Sequence, residues 1–374
     1  FSGYCMLRVT SLLLTLVLLG SCAGRPGADV LQAVNTRATT GKSIAAYVVS
    51  TREKEAGKAL TFGAGRADQP NYARFDISIP PDHKKGKIEW PSGKPDAKKD
   101  FVVTDRDMLS KDAFKHDLAG ILSSGKDVGL FVHGYNYSYQ EALFRAAQMA
   151  ADADINGVPV VFSWPSMADV TGYLADKEAA TFSRDALADL LIDLAQKSPR
   201  KNVIVFGHSM GAWLVMEALR ELRLKGRNDV IAKLQVILAA PDIDTDVFRK
   251  QIEVVGRLDP PLTVLVSKDD RALMAASLLA GERSRVGALD VTDPEISKAA
   301  KREGVQFVDI SELDSSDGFN HDRYAALAAL LPKLDEKRRG GGSDLTRAGA
   351  FVLDAVGATV SSPFRLASKV VNPN

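Results

Sequence analysis

The pentapeptide Gly207-His208-Ser209-Met210-Gly211 has the form G-x-S-x-G, a serine hydroxyl with glycine two positions away on either side. Such a serine becomes a nucleophile when it sits on a sharp strand-to-helix turn, where larger flanking side chains would collide. The neighbouring sequence supplies both elements. The apolar run 203–206 leads in, and Ala212, Val215, Met216, Leu219 and Leu222 follow at helical spacing, with Glu217, Arg220 and Glu221 on the other side. The N-terminus of that helix favours negative charge developing above it.

A serine needs a base to take its proton. The chain has five histidines. His208 adjoins the serine but leaves the turn in another direction. His133 closes an earlier strand, and His83 and His116 precede the first core strand and read as surface residues. His321 remains, in an Asp-, Ser- and Gly-rich loop after the last core strand, and the chain order nucleophile, acid, histidine suits it. The acid that orients it is expected after strand 262–267, in Lys268-Asp269-Asp270-Arg271, where either aspartate fits the part. Asp242, Asp244 and Asp246 stand in reserve and are equally suited to capping a helix. Attack on a carbonyl creates an oxyanion that needs preorganised N–H donors. The amide of Met210 is one candidate. Tyr135, in His133-Gly134-Tyr135-Asn136 after an early strand, is the other. His133, Gly134, Asn136, Trp164, Ser166 and Tyr173 are candidate pocket residues, because α/β sheets bind ligands beyond the strand C-termini. Nothing in this scheme requires a metal or an organic cofactor.

These residues must be carried by a sheet. Apolar runs at 127–133, 159–164, 202–208, 234–240, 262–267 and 305–310 have strand length, and several are apolar at consecutive positions, as strands buried on both faces of a parallel sheet are. Helical patterns lie between and after them, among them 186–194, 212–222 and 324–331. The expected fold class is α/β, a mostly parallel doubly wound sheet. Before it, residues 44–50 and 72–79 read as strands, with a short one at 88–90. The expected organisation is a domain over 44–335, with a β-rich part at 44–100 and a catalytic core at 101–335. A linker and tail follow over 336–374.

Met6, Arg8 and the apolar run 9–19 form the pattern of a secretory signal. Leu19-Gly20-Ser21-Cys22 resembles a bacterial lipobox, which implies lipidation of Cys22 and a protein anchored in the cell envelope, facing the periplasm or the cell surface. Residues 1–22 are thus read as an address and 23–43 as a mobile tether. Cys5 and Cys22 are the chain's two cysteines, so the body holds no disulfide framework. Basic and acidic residues number 48 and 47. Mixed charge of this kind sets aside nucleic acid as a partner.

Together these segments resemble the α/β-hydrolase superfamily, and more closely a bacterial family of esterase/lipase-like α/β hydrolases of unknown function. The matching pieces are Ser50-Thr51-Arg52, Ser78-Ile79-Pro80-Pro81-Asp82-His83, Phe131-Val132-His133-Gly134-Tyr135-Asn136, Phe162-Ser163-Trp164-Pro165-Ser166, the Ser209 pentapeptide and Ser267-Lys268-Asp269-Asp270-Arg271-Ala272-Leu273. The resemblance favours Asp270 over Asp269 as the acid and supports His321. Asp322-Arg323-Tyr324 after that histidine departs from the family's more usual serine and aromatic. The implied activity is carboxylic-ester hydrolysis through an acyl-enzyme on Ser209, acting on a small-molecule or lipid ester. A thioesterase, lipase, amidase or acyltransferase would use the same residues, and a non-catalytic envelope binding protein is the alternative of a different class.

Overall fold

The computed structural model describes residues 25–34, 41–57, 60–153, 156–198, 202–315 and 317–328. The proposed signal with Cys22, and the tail, lie outside them.

Nine strands form one sheet: β1 (Ser43–Lys54), β2 (Phe62–Ser78), β3 (Val102–Leu109), β4 (Asp127–Val132), β5 (Gly157–Ser163), β6 (Val203–His208), β7 (Leu234–Ala239), β8 (Leu262–Val266) and β9 (Val305–Asp309). Their spatial order is β3-β2-β1-β5-β4-β6-β7-β8-β9. From β1 to β9 every neighbouring pair is parallel, while β2 runs antiparallel to β1 and β3. Ten helices accompany these strands among the described residues: α1 (Lys111–Ser123), α2 (Tyr139–Ala153), α3 (Tyr173–Phe182), α4 (Arg184–Lys197), α5 (Met210–Leu224), α6 (Asn228–Ile231), α7 (Thr245–Val255), α8 (Arg271–Leu279), α9 (Pro294–Glu303) and α10 (Tyr324–Ala328).

The central strands β4 to β8 are largely apolar because each face feeds its own core. Val128, Leu130 and Val132 of β4 and Val160 and Phe162 of β5 pack on one side, with Leu187, Leu191, Leu214 and Leu219 from α4 and α5. Phe131 and Val161 point the other way, to Leu143 and Phe144 of α2 and Tyr324 of α10. Side chains alternate across a strand, so two buried faces demand two apolar sets. Since the strands from β1 to β9 are parallel, their C-terminal ends lie along one edge, and every candidate catalytic residue follows one of those ends.

The expected core strands appear within two residues of their predicted bounds. Three readings of the elements change. Residues 88–90 are not a strand; Phe101 N–H donates to Glu89 O at 2.8 Å instead. The third antiparallel strand is β3, which alternates weakly and was not anticipated. The described part of the expected tether is docked: Ala28–Leu31 forms a 3-10 turn, Val30 and Leu31 are buried, and Val34 N–H donates to Val103 O of β3 at 2.8 Å. The reason is the Val30-Leu31 pair, whose burial on β3 and α2 outweighs the polar residues around it.

His83 is also not a surface residue. Its Nδ1 lies 2.7 Å from Glu89 Oε2 and its Nε2 2.8 Å from Asp152 Oδ1, the latter on α2. Burial disfavours its charged form, but the two carboxylate hydrogen bonds outweigh that and raise its pKa.

Candidate active site

Ser209 joins β6 to α5 with φ +55° and ψ −122°, a left-handed conformation that a non-glycine residue adopts only when its surroundings impose it. Three hydrogen bonds impose it here. Ser209 N–H donates to Ala239 O (2.9 Å), and Ser209 O accepts from Ala212 N (3.0 Å) and Asp242 N (3.2 Å). The glycines answer to close approach. A Cβ on Gly207 would stand 2.8 Å from Ala212 Cα, and one on Gly211 would collide with the carbonyl oxygens of Val132 and His133. Gly134 lies directly against the serine: its Cβ would be 2.8 Å from Ser209 Cβ.

Asp270 and His321, 51 residues apart, meet at this edge. Asp270 is fully buried and caps α8, its Oδ1 accepting from Leu273 N at 2.9 Å. Its Oδ2 is 2.7 Å from His321 Nδ1. Burial opposes charge on His321, but the charge and hydrogen bond of Asp270 overcome it and raise the pKa. The His321 ring lies against the His208 ring, centroids 4.6 Å apart, and His208 Nε2 is 3.3 Å from His321 O. His208 itself is held neutral, first by burial and then by the nearby His321 charge. Asp269 faces elsewhere. It pairs with Arg323, whose hydrogen bond draws its pKa down to about 2, and it accepts from Ser267 Oγ at 2.8 Å. The departure at 322–324 has a structural purpose: Arg323 ties the histidine loop to the end of β8, and Tyr324 packs on His208 with centroids 4.4 Å apart.

Of the reserve aspartates, Asp244 caps α7, accepting from Asp246 N and Val247 N. Asp242 is buried and accepts a 2.8 Å hydrogen bond from Tyr173 Oη, while Arg285 Nε lies 3.3 Å from its other oxygen. The Asp242–Tyr173 pair therefore sits beside the nucleophile turn, through the Asp242 amide.

The loop after β4 brings Tyr135 and Asn136 to the same edge. Asn136 has φ +61°. Its N–H donates to Asp176 Oδ2 (3.0 Å), which also accepts from Ser166 Oγ (2.6 Å), while Asp176 Oδ1 accepts from Met167 N (2.6 Å). Arg52 fixes the loop from behind. Its guanidinium donates to Tyr137 O (2.7 Å), Ser166 O (2.9 Å), Gly63 O (3.1 Å) and Ser163 Oγ (2.9 Å). Burial pulls its pKa down to about 10, with the Asp176 charge opposing. His133 and Trp164 do not line an open pocket. Both are fully buried and stacked at 4.7 Å, with Trp164 Nε1 donating to His133 O at 2.8 Å. Burial, then the Arg52 charge, lowers the His133 pKa to about 3. They are a floor beneath the loop, because β4 and β5 end there as adjacent strands. Sequence reasoning gave no role to Arg52, Asp176 or Arg285. Arg52 stands in a matching segment, but no pattern marks the other two.

A cleft of about 240 Å³ between α7 and α9, lined by Phe248, Ile252 and Ile296 among others, contains none of Ser209, Asp270, His321 and Tyr135.

Sheet order, crossover helices and a strained serine turn at the carboxyl edge define an α/β hydrolase. The chain belongs to the family described as alpha/beta hydrolase of unknown function (DUF900), whose model matches residues 110–338, more than half its length. It is 28% identical over 139 residues to the uncharacterized protein alr1448 of Nostoc sp., a match covering 30% of this chain and 33% of that protein. The chain thus spans about a third of the length of the curated relative it matches. Two solved structures are distantly similar. One is a putative hydrolase from Agrobacterium vitis S4 (13% identity, TM-score 0.27, covering 59% of this chain and 84% of that one). The other is from a study of two fungal esterases of Rhizomucor miehei (11% identity, TM-score 0.32, covering 79% and 85%).

Proposed function

We propose that the protein is a serine esterase that hydrolyses carboxylic esters through an acyl-enzyme. The observation that carries this reading is the buried Asp270 carboxylate hydrogen-bonded to His321 beside the strained Ser209 turn. His321 Nε2 takes the Ser209 hydroxyl proton as Oγ attacks the ester carbonyl. Asp270 holds the imidazole with Nε2 free for that proton and stabilises the imidazolium. The Met210 amide, first in α5 and so without an acceptor in its own helix, and the Tyr135 amide receive the oxyanion. The imidazolium then protonates the departing alcohol. Water, deprotonated by His321, attacks the acyl-serine and releases the acid. Asp242 and Tyr173 border the turn and are buried, which suits them to shaping the acyl site rather than to proton transfer.

The test is covalent labelling by a fluorophosphonate, followed by hydrolysis of nitrophenyl esters of rising chain length. Labelling of the parent and not of Ser209→Ala, with turnover of at least one ester, is the expected result. A folded parent that neither labels nor turns over ester would overturn the reading in favour of a binding protein.

A further inference from the structure

We infer that the mouth of this site lies against a lipid bilayer and that its substrate is an acyl ester of a lipid in that bilayer, an inference that rests on the esterase reading above. Two independent observations meet here. The first is where the large apolar side chains lie that remain in water. Eleven are exposed among the described residues, and seven of these belong to three segments at the carboxyl edge: 165–174, 271–279 and 317–321. Val170 and Leu174 are 74% and 78% exposed, and Phe319 is 60% exposed two residues before His321. These segments border the site. Tyr135 Oη donates to Val170 O, Tyr173 reaches Asp242, and Arg271 N–H donates to Phe319 O at 2.9 Å. The segment bearing α8 leaves the edge and returns to it: Ser267 N–H, at the end of β8, donates to Gly287 O at 2.8 Å, and Arg285 donates to Ala276 O at 3.2 Å. A clustered apolar rim around a site marks a surface that meets something apolar.

The second observation is where the chain's N-terminal segment is fastened. Arg25 donates to Asn136 Oδ1, Asn136 O and Ala168 O, each at 2.6 Å, and pairs with Glu141. It therefore bridges the Tyr135-Asn136 loop to the rim segment that carries Met167 and Val170. Cys22 precedes Arg25 by three residues, and three residues of chain reach at most about 11 Å from the Arg25 Cα. A lipid on Cys22 would hold the membrane surface next to the rim rather than at the opposite pole of the domain. No helix among the described residues is long and apolar enough to cross a membrane.

The chemistry is the ester hydrolysis already written. The lipid's acyl C–O bond breaks as the Ser209 Oγ–acyl bond forms, the proton passes through His321 to the lipid alcohol, and water returns the fatty acid. The experiment compares the full chain with its Val170→Asp/Leu174→Asp variant on two substrates. One is nitrophenyl acetate in buffer; the other is a vesicle of phosphatidylethanolamine and phosphatidylglycerol, read by fatty-acid release. The expected result is equal nitrophenyl acetate rates, which also report folding, and at least a tenfold loss on vesicles in the variant. Equal rates on vesicles overturn the inference. So does a parent that cleaves nitrophenyl acetate but releases no fatty acid, and in that case the esterase reading stands alone. Inactivity of the folded parent on both substrates overturns both.

Discussion

His321 works as a base only when neutral, and Asp270 makes it harder to keep neutral. The buried carboxylate raises the imidazole pKa, so the rate is expected to fall as pH drops below that raised value. Asp270→Asn removes the charge that favours imidazolium. Its acid limb should therefore move to lower pH while kcat falls by roughly a thousandfold or more. A pH–rate profile of both proteins checks the sign; an unmoved limb would mean that another group titrates. His321→Ala should lose at least about a thousandfold in kcat with unchanged circular dichroism. Near-parental rates in that variant would misassign the base. At this scale much was legible. Ser209 and His321 were legible as candidates from residue type and order, while Asp270 was preferred to Asp269 through the family resemblance. Asp176 and Arg285 were not, because nothing local distinguishes a buried aspartate in the first turn of α3 or an arginine in a loop from their solvated equivalents. Their meaning comes from partners tens of residues away.

The elements meet the site with very little slack. α5 crosses β4 so closely that Gly211 lies on the carbonyls of Val132 and His133, and backbone cannot give way as a flexible side chain does. Gly211→Ala is expected to cost about 2–3 kcal/mol, in the range for overpacking, measured as a lowered urea midpoint. Arg52 plays the corresponding part between β1 and the two loops. Arg52→Met strands four acceptors and leaves Asp176 without its nearby positive charge. A loss of about 1–3 kcal/mol is expected, as for leaving buried acceptors unsatisfied, together with reduced ester turnover as the Tyr135 loop relaxes. Arg52→Lys should recover only part of it, because an ammonium has three donors on one nitrogen and cannot span that fork. The strand pattern was readable for β4 to β9, where apolar runs are continuous. It failed at β3, where only Val102 and Val103 are buried and Asp105, Asp107 and Met108 are exposed. An edge strand with one wet face carries a weaker signal than a central one.

For the molecule as a whole, the β-rich N-terminal part is not an appendage. Its sheet continues into the catalytic strands through the parallel β1–β5 pair, and His83 fastens the loop after β2 to α2 through Asp152. The His83 pKa is raised on folding, so this fastening contributes fully below the unfolded value, about pH 6.5, and is lost as pH rises through the higher folded value. The parent should therefore lose stability over that interval, whereas His83→Gln should be flatter across it; denaturant midpoints at several pH values decide. The α/β class was legible because strands and helices follow one repeating order. The docking of residues 25–34 was not, since two apolar residues in a polar stretch are too few to announce a packed segment.

That docked stretch has a practical corollary. Val34 bonds to the outer rung of the sheet, and Val30 and Leu31 roof the side chains beneath it. A version shortened to begin at Ser43 would carry an open row of amides and carbonyls next to an uncovered apolar hollow. Strands of separate copies would then add to one another there, and light scattering that climbs with protein concentration in the shortened form alone is the outcome to look for.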